Sequence, residues 1–247
     1  MHDTPSLGGK VAIVTGGSRG IGLAIATALV AQRVDVVVVG RSPDALSNAC
    51  NLLANVPGTN GDPGRVESVQ ADVGDASQAQ RAIEHAIKQF GGLDVLINNA
   101  GVSRFQNLAE LSVDDWREVI GTNLDGAFFC CRAALPALRR RGAGWIINVS
   151  SLAGSHPFAG GAAYCASKAG LDAMSEALMQ EVRYDKIRVS LVVPGSVDTR
   201  FVDSAGPDAG RWKLSADDVA RVVVDLLGHD PRSLPSRVEI RPSRPRK

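Results

Sequence analysis

Tyr164 and Lys168 stand four residues apart in the stretch Ala163-Tyr164-Cys165-Ala166-Ser167-Lys168. The stretch reads as helix, where positions i and i+4 share one face. A free tyrosine titrates at about 10. An ammonium beside it stabilises the phenolate, so the spacing predicts a phenol with a pKa lowered towards the range useful for acid–base work. Such a pair would give a proton to a carbonyl oxygen while a hydride arrives from a nicotinamide. Taken alone, Y-x-x-x-K also describes two solvated helix residues, and its weight depends on the groups around it.

The second candidate is the turn Thr15-Gly16-Gly17-Ser18-Arg19-Gly20-Ile21-Gly22. It follows an apolar run and opens a stretch with helical periodicity. Glycines allow the tight turn and a close backbone approach to a pyrophosphate, and the helix N-terminus offers N–H groups and a positive dipole end. A strand–helix turn that is merely glycine-rich is the plainer alternative. The strand–turn–helix setting favours dinucleotide binding. About 20 residues further on, NAD-binding turns of this kind usually place an Asp or Glu on the adenosine ribose. Here the matching segment is Val39-Gly40-Arg41-Ser42, without an acid. Gly40 leaves space, and Arg41 together with Arg19 is expected to pair with a 2′-phosphate. NADP(H) is therefore favoured over NAD(H), the alternative being two solvated arginines.

These groups need a frame. Short β-branched runs, Val11–Thr15, Val34–Val39, Val66–Ala71, Leu93–Ile97, Trp145–Val149 and Arg188–Val193, alternate with stretches of helical period, and Val238–Ile240 is a seventh candidate strand. Ile21, Ala24, Ile25, Ala28 and Leu29 share one helical face, as do Ala79, Ala82, Ile83, Ala86, Ile87 and Phe90 behind the candidate N-cap Asp75. The alternation, with strands apolar on both faces, predicts an α/β, doubly wound Rossmann fold: a parallel sheet of about seven strands with helices on both faces. No linker separates two cores, so residues 1–247 are read as one domain. Two loops, Asn55–Arg65 and Asp203–Arg211, are rich in turn residues.

Composition narrows the function classes. The chain has 247 residues, 45% hydrophobic and 21% charged, and a net charge of +1 from 27 basic and 26 acidic residues. That balance gives no field for nucleic acid or an anionic membrane. Aromatic content of 4% argues against a base-stacking surface. No apolar run reaches the ~20 residues that span a bilayer. The opening MHDTPSLGGK is polar, which predicts no secretory leader. Cys50, Cys130, Cys131 and Cys165 form no C-x-x-C pair, and no His has metal-ligand spacing, so free thiols, a cytoplasmic setting and no metal site are expected.

Further motifs fall in order along the chain: Asn98-Asn99-Ala100-Gly101, Asn123, Ser151 placed 13 residues before Tyr164, and Pro194-Gly195 with Thr199. With the T-G-x-x-x-G-x-G turn and the Tyr–Lys pair, they resemble the short-chain dehydrogenase/reductase family in its single-domain form, including its 3-oxoacyl-carrier-protein reductases. The resemblance covers most of the chain. It implies Tyr164 as general acid for reduction and base for oxidation. Ser151 would bond the substrate carbonyl. Lys168 would bond the nicotinamide ribose and depress the Tyr164 pKa, and Asn123 would hold a water in a proton relay. Gly16, Ser18, Arg19, Gly20, Ile21 and Gly22 would hold the dinucleotide. Asp72 and Val73 would meet the adenine, with Arg41 at the phosphate. Asn99, Ala100 and Gly101 would support the cofactor. Pro194, Gly195, Val197 and Thr199 would cradle its nicotinamide half.

The implied activity is NADP(H)-dependent hydride transfer between nicotinamide and a carbonyl or alcohol. The substrate is a 3-oxoacyl thioester or another small ketone, sugar or steroid. A non-catalytic dinucleotide-binding module is the other class. The segment Arg200–Leu214 is short, which implies an open or small lid, and the tail lacks the V-D-G-G ending of many relatives. Arg139–Arg141 and the tail residues Arg232, Arg237, Arg241, Arg244, Arg246 and Lys247 are candidate docking patches for an acidic acyl carrier protein, or simply solvated charges. His156, five residues after Ser151, either faces substrate or is a loop residue. A homodimer or homotetramer is implied, pairing helices Asp114–Arg139 and Gly160–Tyr184 through Phe128, Phe129, Leu135, Leu138, Met174, Leu178 and Met179, residues that equally suit an internal core.

Overall fold

The computed structural model describes residues 6–59, 61–199 and 212–244. The expected loop Asp203–Arg211, most of the expected lid, the tail residues Arg246 and Lys247, and residues 1–5 lie outside the described residues. The strands are β1 (Val11–Thr15), β2 (Asp35–Gly40), β3 (Val66–Gln70), β4 (Val95–Asn98), β5 (Gly144–Val149), β6 (Ile187–Pro194) and β7 (Arg237–Ile240). The helices are α1 (Gly20–Ala31), α2 (Pro43–Leu53), α3 (Ala76–Phe90), α4 (Val113–Ile120), α5 (Gly126–Arg141), α6 (Ala162–Val182) and α7 (Ala216–Leu227). All strand pairs are parallel, in the order β3-β2-β1-β4-β5-β6-β7.

The period-2 alternation of each strand sorts side chains to two cores. Ala12 and Val14 join Val36 and Val38 against α1 and α7. Val11 and Ile13 join Val37 and Val39 against α3 and α5. This makes the fold a doubly wound Rossmann sheet, as expected. Two strands depart from the expected double-sided burial: β3 and β7 are the sheet edges, β3 partly buried up to its exposed last residue and β7 alternating between exposed and partly buried positions. The strand order reverses between β1 and β4, and a ligand crevice forms outside the carboxyl ends of strands at such a reversal.

One expected helix is interrupted. The stretch 114–139 breaks into α4 and α5 around a π turn, Gly121–Asp125, which holds Asn123. Gly121 opens the turn and Gly126 follows it, but isolated glycines inside a helical pattern do not specify a π turn. π turns insert one residue into a helix and often sit at functional sites. Asp75 caps α3 as expected, accepting from the Ser77 and Gln78 amides. Among the described residues no helix is long and apolar enough to cross a membrane.

Candidate active site

The glycine turn fills the crevice at the strand reversal. Gly16 (φ +63) and Gly20 (φ +55) take left-handed backbone, which favours glycine. Gly22 serves packing: a Cβ there would overlap the Gly16 carbonyl and the Asn99 amide. The Asn99 amide donates to the Thr15 carbonyl (2.9 Å) and the Gly16 carbonyl (3.2 Å). The Thr15 hydroxyl accepts from the backbone N–H groups of Asn99 and Ala100, both at 3.0 Å. The end of β4 therefore braces the turn that follows β1. Ser42, Asp75, Ser112 and Ser215 cap α2, α3, α4 and α7 with their side chains, whereas α1 starts at Arg19 without a side-chain cap. The first N–H groups of α1 thus remain for a phosphate, and a dinucleotide fits this cradle.

The carboxyl end of β2 lies beside the turn. A Cβ on Gly40 would stand 3.3 Å from the Ser18 hydroxyl, so Gly40 admits Ser18 closely. Arg41 has carboxylate company: its guanidinium lies 3.6 Å from Glu118 and 4.0 Å from Asp72. Glu118 also receives Arg104 at 2.6 Å. Arg19 is exposed at the start of α1. Arg41 is thus drawn towards acids contributed by β3's end and α4. Val73 is buried under the Gly126 backbone.

Ser151 follows β5 and caps a short 3-10 turn, Leu152–Gly154, accepting from the Ala153 amide at 3.2 Å. Its hydroxyl favours the Tyr164 phenolate. Lys168 is buried and donates to the Val149 carbonyl at 2.9 Å. Its ammonium stands 5.8 Å from the centre of the Tyr164 ring. Burial pulls the Lys168 ammonium down to about 8, with the Asp172 carboxylate opposing. The Tyr164 phenol is shifted up, mainly by burial and against the opposing pull of the Ser151 hydroxyl. This corrects the expected lowering. The lysine charge faces a backbone carbonyl and the tyrosine ring, and desolvation of the phenolate outweighs the help it receives.

Asn123 is buried, and its amide is fully engaged. It accepts from the Val102 amide (2.8 Å) and donates to the Val102 carbonyl (2.9 Å) and the Ser167 hydroxyl (3.0 Å). The π turn thereby ties the loop after β4 to α6. Beneath the site, the Asn98 amide donates to Asn148 (2.8 Å), which donates to Ser175 (2.7 Å). Sequence reading passed over Asp172. It binds the Ser150 hydroxyl, takes Arg237 at 2.8 Å, and lies one helical turn after Lys168. The i+4 spacing from Lys168 was the available signal.

The segment 194–199 closes the far side. The Gly195 amide donates to the Ile240 carbonyl (2.8 Å), so β7 supports it. Val197 bridges to Leu214. Thr199 approaches Gly20 closely enough that a Cβ there would lie 3.5 Å from its methyl group. His156 is exposed, with Nδ1 3.2 Å from the Ser155 hydroxyl. Cys165 is buried in packing, and burial pushes the Cys130 and Cys131 thiols up to about 12, so both are inert at neutral pH.

Comparison with known proteins agrees with this arrangement. The family model for short chain dehydrogenase matches residues 10–210. An uncharacterized oxidoreductase of Staphylococcus aureus (strain MRSA252) is 32% identical over 233 residues, covering 94% of this chain and 97% of the relative. A metagenomic short-chain oxidoreductase solved with NADP is similar over 98% of this chain and all of its own, with 35% identity and a TM-score of 0.84. An alcohol dehydrogenase from the archaeon Thermococcus sibiricus, solved with 5-hydroxy-NADP, matches with 29% identity and a TM-score of 0.85 over 96% of this chain and 99% of its own. A parallel sheet reversing at a braced glycine turn, matched along nearly its whole length by such oxidoreductases, makes this chain an enzyme of the short-chain dehydrogenase/reductase family.

Proposed function

We propose that this enzyme transfers hydride between NADP(H) and a carbonyl or alcohol, with residues 1–247 acting as one domain. The observation that carries the reading is the buried Lys168 ammonium 5.8 Å from the Tyr164 ring, in a chain whose glycine turn opens α1 without a side-chain cap. When bound, the nicotinamide supplies the hydride to the carbonyl carbon. Tyr164 gives its phenolic proton to the carbonyl oxygen, and alcohol and NADP+ result. Ser151 bonds the same oxygen as charge develops on it. Lys168 holds the nicotinamide ribose. Asn123 has no amide proton left for a water, so its main-chain carbonyl in the π turn is the atom we assign to the relay. Gly16–Gly22, Asn99–Gly101 and Pro194–Thr199 enclose the dinucleotide, with Asp72 and Val73 at the adenine.

The preference for the 2′-phosphate form rests on the missing acid at the end of β2, on Gly40 and Arg41, and on the NADP species bound by the two similar structures. A free ketone suits the surface better than a carrier-bound thioester. Arg139 and Arg141 pair with Asp185 and Asp94, and Arg232, Arg237 and Arg241 also pair within the chain. The test is a side-by-side titration of NADPH and NADH. Arg41→Ala is expected to weaken NADPH binding about tenfold, the low end for a charged hydrogen bond because Arg41 must leave two carboxylates. NADH binding should hardly change. Equal losses for both cofactors would overturn the assignment of Arg41.

A further inference from the structure

We propose that the substrate is an aryl ketone whose ring is received by Phe105 and Phe158 beside Tyr164, an inference that rests on the carbonyl-reductase reading above. Phe105 lies on the loop after β4, and Phe158 on the loop between Ser151 and α6. Their ring centres are 5.6 Å apart with planes tilted by 60°. Phe105 also meets the Tyr164 ring edge-on, at 5.8 Å and 83°. The three rings form an aromatic corner at the candidate proton donor.

Two features single this corner out. First, it is left open: Phe105 is 42% and Phe158 49% exposed, in a chain with only six phenylalanines. Second, it is held in place before any ligand arrives. A Cβ on Gly161 would come within 2.6 Å of the Phe158 ring, so that ring rests on bare backbone just ahead of Tyr164. The Phe105 loop is pinned on one side by Asn123 at Val102. On the same side, directly before Phe105, Arg104 bonds Asp115 (3.1 Å) and Glu118 (2.6 Å). Those bonds also turn the neighbouring guanidinium away to carboxylates, so the corner offers a ring, not a charge. Tilted aromatic surfaces select a flat π system over a saturated ring through edge-to-face and offset contacts. Phe105 touches the tyrosine ring itself, so the group it receives is the one bonded directly to the carbonyl carbon.

The decisive pair is acetophenone and cyclohexyl methyl ketone, which share a carbon skeleton and differ in aromaticity. With NADPH, wild-type kcat/KM is expected to be about tenfold or more higher for acetophenone, although aryl ketones are the weaker electrophiles. Phe105→Leu and Phe158→Leu keep apolar volume and remove the ring. Each should erase much of that preference by lowering acetophenone far more than cyclohexyl methyl ketone, with NADPH affinity near wild type. Benzamide should likewise inhibit more strongly than cyclohexanecarboxamide, a comparison that needs no variant. Equal rates for both ketones with equal inhibition by both amides would overturn the aryl subsite and leave the reductase standing. So would leucine variants that lower both ketones in parallel. A protein that binds NADPH yet reduces no ketone would instead sink the reductase reading, and this proposal with it.

Discussion

Burial acts on Tyr164 and Lys168 in opposite senses: it pushes the phenol up and pulls the ammonium down to about 8. Reduction needs the phenol protonated, and a raised pKa keeps it so through neutral and mildly alkaline pH. It also needs Lys168 charged, and that condition fails above about 8. With the proposed roles, kcat/KM for NADPH should be flat below pH 8 and fall about tenfold per unit above it. In oxidation the phenolate fraction climbs with pH while the ammonium fraction declines beyond 8. The rate with NADP+ should therefore rise up to pH 8 and then level off. Asp172 opposes the depression of the Lys168 pKa, so Asp172→Asn should move both break points to lower pH. Break points that stay in place in that variant would detach them from Lys168. The sequence showed the Tyr–Lys spacing and not the sign of the shift, because spacing along a helix carries no information on depth of burial.

At the scale of elements, the cradle depends on α1 lying against the end of β4. Gly22 allows this, since a Cβ would overlap the Gly16 carbonyl and the Asn99 amide that braces the turn. Alanine is the better helix former by about 1 kcal/mol. Overpacking of this kind costs about 1–3 kcal/mol, and here the obstacles are a backbone carbonyl and an amide already hydrogen-bonded. Gly22→Ala should therefore lower Tm by several degrees and weaken cofactor binding along with it. Gly121→Ala, in the π turn with helical backbone and nothing within 4 Å of its Cβ, is the matched control and should hold or raise Tm while leaving cofactor binding unchanged. Calorimetry and cofactor titration on the two variants check the pair. A Gly22 variant as stable as wild type would show that α1 can shift without loss. The strands and the turn were legible because apolar period and glycine placement are local signals. The π turn was not, because isolated glycines inside a helical pattern do not specify one and the extra residue is selected by Asn123 reaching Val102 and Ser167. Glu118 and Asp72 beside Arg41 were likewise hidden, since each comes from a different element.

At the scale of the whole molecule, α4 and α5 carry apolar surface that stays exposed. Leu138 and Leu178, expected at either an interface or a core, belong to the core. Phe128 does not: it is 45% exposed, with its ring 5.5 Å from that of Phe129, and Trp116 and Val113 are exposed on α4. A large aromatic left open on a helix that borders the site is a natural anchor for a second copy, since buried aromatics dominate interface energetics. The proposed homo-oligomer therefore buries Phe128. Sedimentation of the wild type at micromolar concentration should give a dimer or tetramer. Phe128→Glu should shift it towards monomer by at least about tenfold in dissociation constant, since a carboxylate would have to be desolvated in the contact. Phe128 is not among the residues proposed to hold the cofactor, so NADPH affinity should survive the dissociation. A wild type that sediments as a monomer would remove the oligomer. A Phe128→Glu protein that stays fully assembled would move the interface to another face, leaving the exposed aromatic to be explained by something other than a second copy of this chain.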